Sequence, residues 1–165
     1  MFVVRFIEGR FGDAFEAGEK ARTLNPYSDE IKSRLGAGYV ARGEYDKGIA
    51  LLQDAASSER APSWAQLYLF LHAYMRNDNE AALRVAQRGR MARMPFGIVA
   101  RIAMHQRRGS AEDAHFWRQQ LAREFPHFAA DIEGALIRSG MHESIRTALL
   151  SDLTAAGTPA TGGNL

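Results

Sequence analysis

The chain repeats itself every 34 residues. Moving residues 9–21 forward by that interval lays Gly9 on Gly43, Phe11 on Tyr45, Ala14 on Gly48 and Ala21 on Ala55. A fixed period of this size specifies helical hairpins stacked side by side, because one hairpin cannot bury its apolar face without the next as cover. It also bounds function. Stacked hairpins build extended surfaces for binding other molecules rather than a closed reaction chamber.

The punctuation fits helices throughout. There is no sustained apolar–polar alternation and no Asn-Gly or Asp-Gly hairpin turn, so strands are not expected. Leu24-Asn25-Pro26 stops one helix, since proline disfavours helical geometry in the residue before it. Ser28-Asp29-Glu30 opens the next, with Ser28 as N-cap and acids in the first turn. Arg42-Gly43-Glu44, Asn77-Asp78-Asn79 and Arg108-Gly109-Ser110 are turns within hairpins. Ala61-Pro62-Ser63, Met94-Pro95 and Pro126 fall between them. Ser110 and Asp113 stand at the spacing of a capping box. The expected helices are 1–9, 13–24, 29–42, 45–58, 63–76, 79–92, 96–108, 111–124, 128–138 and 142–155. The small, polar tail 158–165 has nothing to bury and is expected to be disordered.

The sharpest repeat runs from Ile31 to Pro62 and carries Leu35-Gly36, Tyr39, Gly43, Tyr45, Gly48, Leu52, Ala55 and Pro62. It resembles a tetratricopeptide repeat (TPR), whose signature places a Leu-Gly pair, a Tyr, a turn Gly, a small residue, a large apolar residue, an Ala and a Pro in this order. Gly36 and Gly48 let the two helices of the hairpin approach closely, while Tyr39 and Leu52 fill the space beside the crossing. Ala55 leaves room for the next hairpin. The neighbouring repeats match in part: Ala14, Ala21 and Pro26 before it, then Leu69, Ala73, Ala82 and Gly89, then Gly109, Ala114, Leu121 and Pro126. The resemblance covers roughly residues 1–126. It implies an all-α, right-handed superhelix of about four TPR-like hairpins, at 1–26 (partial), 27–62, 63–94 and 95–127, closed by a capping helix pair at 128–157. The first half of the first repeat would need about six residues before Met1 in this register, so the chain is expected to be a piece of something longer.

A narrower resemblance lies in the C-terminal part. Phe125-Pro126-His127-Phe128, then 132–140, then a helix bearing Leu149, Leu150, Leu153 and Gly157, is similar to the ending of TPR arrays in bacterial signalling proteins. In those proteins the array follows an adenylate cyclase domain or a winged-helix DNA-binding domain. The resemblance implies a sensory or scaffolding role. Arg-Ser-Gly-Met-His at 138–142 departs from the family's charged linker. A plain capping helix over 142–155 accounts for the same residues.

No catalytic constellation is legible, and no cofactor motif. There is no phosphate-binding Gly-x-x-x-x-Gly-Lys loop and no Gly-x-Ser-x-Gly elbow. Gly36-Ala37-Gly38 lacks the preceding strand and third glycine of a dinucleotide loop. The absence of cysteine excludes disulfides, thiolate catalysis and zinc–thiolate sites, and it suits the cytoplasm. His72, His105, His115, His127 and His142 form no His-x-x-x-His pair, so no metal is expected. No apolar run reaches the length of a membrane span.

Binding is left, and two surfaces compete for it. In a TPR array the first helix of each hairpin lines the inner groove. By that register Trp64, Leu67, Leu71, Tyr74, Met75, Phe96 and Val99 face inward, joined by Val3, Phe6 and Ile7. Such a groove suits an apolar or amphipathic segment of a protein partner. It lacks the Lys and Asn positions by which chaperone-binding TPRs clamp a carboxylate. The same residues also read as core, or as a groove covered by the C-terminal helices. The second surface is a run of arginines, Arg84, Arg88, Arg90, Arg93, Arg101, Arg107 and Arg108, with no acidic residue between Ala81 and Ala111. It suits an anionic partner. Nucleic acid is disfavoured there, because no aromatic residues interleave as stacking platforms. A solvated helix face accounts for it equally.

Overall fold

A computed structural model describes residues 1–56, 62–87, 91 and 93–155. Among these residues there is no strand, and the helices are α1 (Phe2–Ile7), α2 (Phe11–Leu24), α3 (Asp29–Ala41), α4 (Tyr45–Ala56), α5 (Gln66–Met75), α6 (Asn79–Ala86), α7 (Pro95–Arg107), α8 (Ala111–Glu124), α9 (Pro126–Ala130), α10 (Ile132–Arg138) and α11 (Glu143–Ala155). The fold is the expected all-α stack: α1 pairs with α2, α3 with α4, α5 with α6 and α7 with α8. The first helices touch one another in the order α1, α3, α5, α7 and so form one layer.

The 34-residue period is a backbone period. Gly9 (φ +75°), Gly43 (φ +84°), Asn77 (φ +57°) and Gly109 (φ +72°) are left-handed residues at the four hairpin turns. Their spacings are 43 − 9 = 34, 77 − 43 = 34 and 109 − 77 = 32. Each turn thus reverses the chain through one residue that lacks a Cβ or, like Asn, tolerates that region. The third hairpin has no turn glycine because Asn77 does its job.

Local chemistry sets several helix starts. The Ser28 hydroxyl accepts from Ile31 N at 3.3 Å, as its position before two acids leads one to expect. Asp78 caps α6 by accepting from Ala81 N at 3.0 Å. Two expectations need correction. Ser110 makes no side-chain cap, and Asp113 instead lies 3.4 Å from His105 Nδ1. The single helix expected over 128–138 is two, because Asp131 leaves the helical region (φ −143°) and its carboxylate caps α10 at Gly134 N, 2.9 Å away. The expected helix 63–76 begins as a 3-10 turn at Ser63–Ala65 before α5. Residues 88–90 and 92, within the expected helix 79–92, lie outside the described residues, as does the tail 158–165.

The hairpin crossings rest on missing side chains. A Cβ on Gly48 would sit 2.6 Å from Val40 Cγ2, 2.7 Å from the Gly36 carbonyl oxygen and 2.8 Å from Val40 N. Glycine is required there by backbone-to-backbone approach. At the N-terminal end the phenyl rings of α1 fill the same kind of gap. Phe2 lies over Gly18 and Gly38, and Phe6 lies against Gly140. Phe11 meets Phe6 edge-on at 5.0 Å, and Phe15 stacks on Tyr39 at 4.4 Å. The Tyr39 hydroxyl donates to Glu19 at 2.9 Å, and burial together with that carboxylate pushes its pKa up to about 12.

The C-terminal segment folds back across the layer of first helices. α11 lies against α7 and α5 and buries Ile145, Leu149 and Leu153 in the same core as Phe70, Leu71 and Ile102. A polar latch fixes its azimuth. The Tyr74 hydroxyl lies 2.5 Å from Asp152 Oδ2, to which it donates, and 3.0 Å from the Ala148 carbonyl. Arg107 Nε reaches the same Oδ2 at 2.6 Å, its Nη1 donates to the Tyr74 carbonyl at 3.0 Å, and its guanidinium carbon stands 3.6 Å from the Tyr74 ring centroid. At the other end of the segment, His142 N donates to the Ala41 carbonyl at 2.7 Å, tying the α10–α11 connection to the C-terminal end of α3.

Two measurements test this architecture. Gly48→Leu overpacks the α3–α4 crossing and is expected to lower the unfolding free energy by about 3 kcal/mol in urea titrations. Gly12→Ala, whose Cβ would meet nothing within 4 Å, serves as the control and stays neutral or gains stability. A neutral Gly48→Leu would show that the crossing is not as close as described. Asp152→Ala leaves Arg107 without its carboxylate and is expected to destabilise by about 2 kcal/mol. In the Arg107→Met, Asp152→Leu double variant most of that loss returns, since removing both partners leaves no orphaned charge. Equal loss in the single and double variants would mean that the latch contributes only packing.

Candidate concave groove

The groove expected from the repeat register is divided. Its C-terminal half is not open: Leu71, Tyr74 and Val99 are at most 1% exposed, and Leu67 is buried as well. This corrects the reading of these four residues as partner-binding positions. The physical reason is α11, whose leucines take the place of an external segment over α5 and α7 while Asp152 satisfies the Tyr74 hydroxyl. Burial and the Asp152 carboxylate both raise the pKa of that hydroxyl, so Tyr74 remains a donor at any ordinary pH. Met75 and Phe96 are half-buried against the same core, and Phe96 meets Phe128 of α9 edge-on at 5.0 Å.

The N-terminal half remains a cavity of about 400 Å³, between α1, α3, the start of α5 and the end of α10. Trp64 lines it, together with Val3, Phe6 and Ile7, so those four expected groove residues do converge on one space. Phe2, Tyr68, Arg34 and Arg138 join them, none of which was read as a site residue from the sequence. Trp64 and Tyr68 meet edge-on at 6.2 Å, and burial pushes the Tyr68 phenol above its ordinary pKa. Arg34 stands 5.7 Å from the Trp64 ring centroid while pairing with Glu30 at 2.5 Å. Ile7 is 69% exposed on the wall of this recess. The register signals α1 only weakly, because α1 has 6 residues where α3 has 13.

A second cavity of about 320 Å³ adjoins the first and shares Phe6, Ile7 and Arg138 with it. It is closed by Phe11, Ile137, Arg42, Met141 and Arg146, with Glu8 at its edge.

The arginine run does not make one face. Arg107 is held in the latch. Arg101 lies 4.2 Å from the Trp117 ring centroid and donates to the Ala86 carbonyl, and burial lowers its pKa. Arg84 pairs with Glu80 at 3.5 Å. Arg84 and Arg108 do share one shallow cavity beside Asn79 and Leu83. Arg93 is exposed, and Arg88 and Arg90 lie outside the described residues. A helical stretch distributes its side chains around the axis, and here Arg101 and Arg107 turn towards the protein while Arg84, Arg93 and Arg108 are exposed.

Among the described residues no group of three or more His, Asp or Glu side chains is placed to hold a metal ion, and no helix is long and apolar enough to cross a membrane. The arrangement offers an apolar recess with cationic edges, suited to recognition.

Compared with known proteins, the chain matches no curated protein and no solved structure. A tetratricopeptide repeat family model does match residues 5–69, the stretch from α1 into α5 that builds most of the open cavity. Repeats of that family generally mediate contacts between proteins and are typically non-catalytic. Residues 5–69 therefore carry the tetratricopeptide repeat signature, on an all-α array of stacked hairpins.

Proposed function

We propose that this protein is a non-enzymatic interaction module that docks an apolar or amphipathic segment of a protein partner in the N-terminal half of its concave face. The observation that carries the reading is the open, aromatic cavity around Phe2, Phe6, Ile7, Trp64 and Tyr68, in a repeat fold whose remaining groove is filled by its own α11. An amphipathic helix lays its apolar side chains into such a recess. The leucines at 149, 150 and 153, the glycine at 157 and the Phe125-Pro126 break further support a place at the C-terminal end of a bacterial signalling protein, beside a cyclase or DNA-binding domain. The reading frame upstream of Met1 tests that placement: a catalytic or winged-helix domain in frame would support it, and a stop codon close by would sink it.

The docking site is tested with a fluorescently labelled, neutral amphipathic peptide of leucines and glutamines. Ile7→Asp is expected to weaken its binding by about tenfold or more, since it puts a charge where apolar surface is to be buried. The melting temperature should not move, because Ile7 is largely exposed. Phe116→Asp, at an exposed residue of α8, should bind as the parent does. Equal binding by both variants would place the partner site elsewhere.

A further inference from the structure

The second cavity carries more positive than negative charge. Three guanidiniums line it, from Arg42, Arg138 and Arg146, against the single carboxylate of Glu8. Arg138 is engaged by Asp131 at 2.9 Å, and Glu8 lies 3.6 Å from Arg10. Arg42 and Arg146 have no carboxylate within ion-pairing distance among the described residues. Both are nonetheless held in place. The Arg42 guanidinium carbon stands 4.1 Å from the Phe11 ring centroid, and its Nη1 donates to the Gly140 carbonyl at 3.4 Å. Arg146 Nη1 donates to the Met141 carbonyl at 3.1 Å. Each guanidinium has five N–H donors in a rigid fork, and most of them are left over. A positioned guanidinium with spare donors is prepared for a carboxylate, because little side-chain entropy remains to be lost on pairing.

Beside these cations lies bare hydrocarbon. Ile7 and Ile137, 69% and 51% exposed, stand on the cavity wall, and Phe6, Ile7 and Arg138 run on into the first cavity. A ligand that covers both recesses must therefore be apolar along one face and anionic along its edge.

We infer that the paired cavities receive an acidic amphipathic helix of a protein partner, with its apolar face over Ile7 and Ile137 and its flanking carboxylates on Arg42 and Arg146. This rests on the docking function proposed above and specifies the chemistry of the partner. The two recesses are concave, which suits side chains of a helix and not the flat face of a lipid bilayer. The site depends on the return of the C-terminal segment to α3. Arg42 ends α3 and Arg146 lies in α11, and they face one cavity because His142 N is bonded to the Ala41 carbonyl.

The test compares two synthetic amphipathic helical peptides with the same leucine face, one flanked by glutamates and the other by glutamines. At low salt the full chain is expected to bind the glutamate peptide about tenfold more tightly. That preference should shrink as salt rises, since salt screens exposed ion pairs. Arg42→Gln with Arg146→Gln should bring the two peptides to equal affinity, whereas Ile7→Asp should weaken both. If the double variant fails to fold, the salt series on the parent protein decides by itself. Equal affinity for both peptides at low salt overturns the inference and leaves the docking function standing. Binding of neither peptide overturns both. Sedimentation with phosphatidylserine vesicles, lost in the arginine variants and without peptide binding, would assign the site to a membrane surface instead and likewise overturn it.

Discussion

The arrangement of this protein turns on one carboxylate. Asp152 accepts from the Tyr74 hydroxyl and from Arg107 Nε at a place where α5, α7 and α11 meet. Apolar burial alone would hold α11 over the groove, but it is non-directional and would tolerate rotation or a slip of the helix. A charge-assisted pair with a shared acceptor does not, since moving Asp152 would take from a buried phenol and a largely buried guanidinium the carboxylate that they share. The cation over the Tyr74 ring adds to the same cost. With α11 fixed, Leu149 and Leu153 have their seats, the α10–α11 connection reaches Ala41, and Arg146 is delivered to the N-terminal cavity. The open half of the groove and the filled half are thus two results of one placement.

Packing follows a different rule in the first two hairpins. In the second hairpin the helices meet through glycine, with Gly36 and Gly48 bringing backbone against backbone. In the first, glycine makes room for aromatic rings, and Phe2 and Phe6 of the six-residue α1 fill pits above Gly18, Gly38 and Gly140. A short helix has few hydrogen bonds of its own and depends on such tertiary anchors. The same anchoring leaves Val4 and Ile7 facing outward, which is why the first helix carries both structural and recognition surface.

Much of the fold was legible because its signals are local. The turn residues Gly9, Gly43 and Gly109, the Ser28 cap and the prolines at 95 and 126 each act within a few residues, and each marks an element boundary in the structure. Asn77-Asp78-Asn79 was legible as a turn, but not that Asn77 takes the left-handed place of the glycines, since asparagine reaches that region without announcing it as glycine does. Asp131 was read through because its capping of Gly134 competes with helix continuation only in the right context. The groove was half legible. Trp64, Val3, Phe6 and Ile7 follow from the repeat register. The loss of Leu71, Tyr74 and Val99 to the core depends on Tyr74 meeting Asp152, 78 residues on, and no periodicity encodes that pairing. Arg42 and Arg146 were invisible as a pair for the same reason. They lie 104 residues apart (146 − 42) and meet only because the chain returns on itself.

The hydrogen bond from His142 to Ala41 changes what kind of object the array is. An open stack of repeats behaves almost as a line of beads, each element answering only to its neighbours, so that an end can fray or a unit be added without the rest taking notice. Joining residue 142 to residue 41 turns the line into a ring. The third and fourth hairpins are then enclosed between two fastened points, and neither can open without straining the other. Contacts that span about a hundred residues must also wait for the intervening chain to be in place, which slows folding relative to a stack built only from neighbours. The repeat has been used here to make a body with an inside and an outside, and the arc beside the fastening still faces the world as a groove.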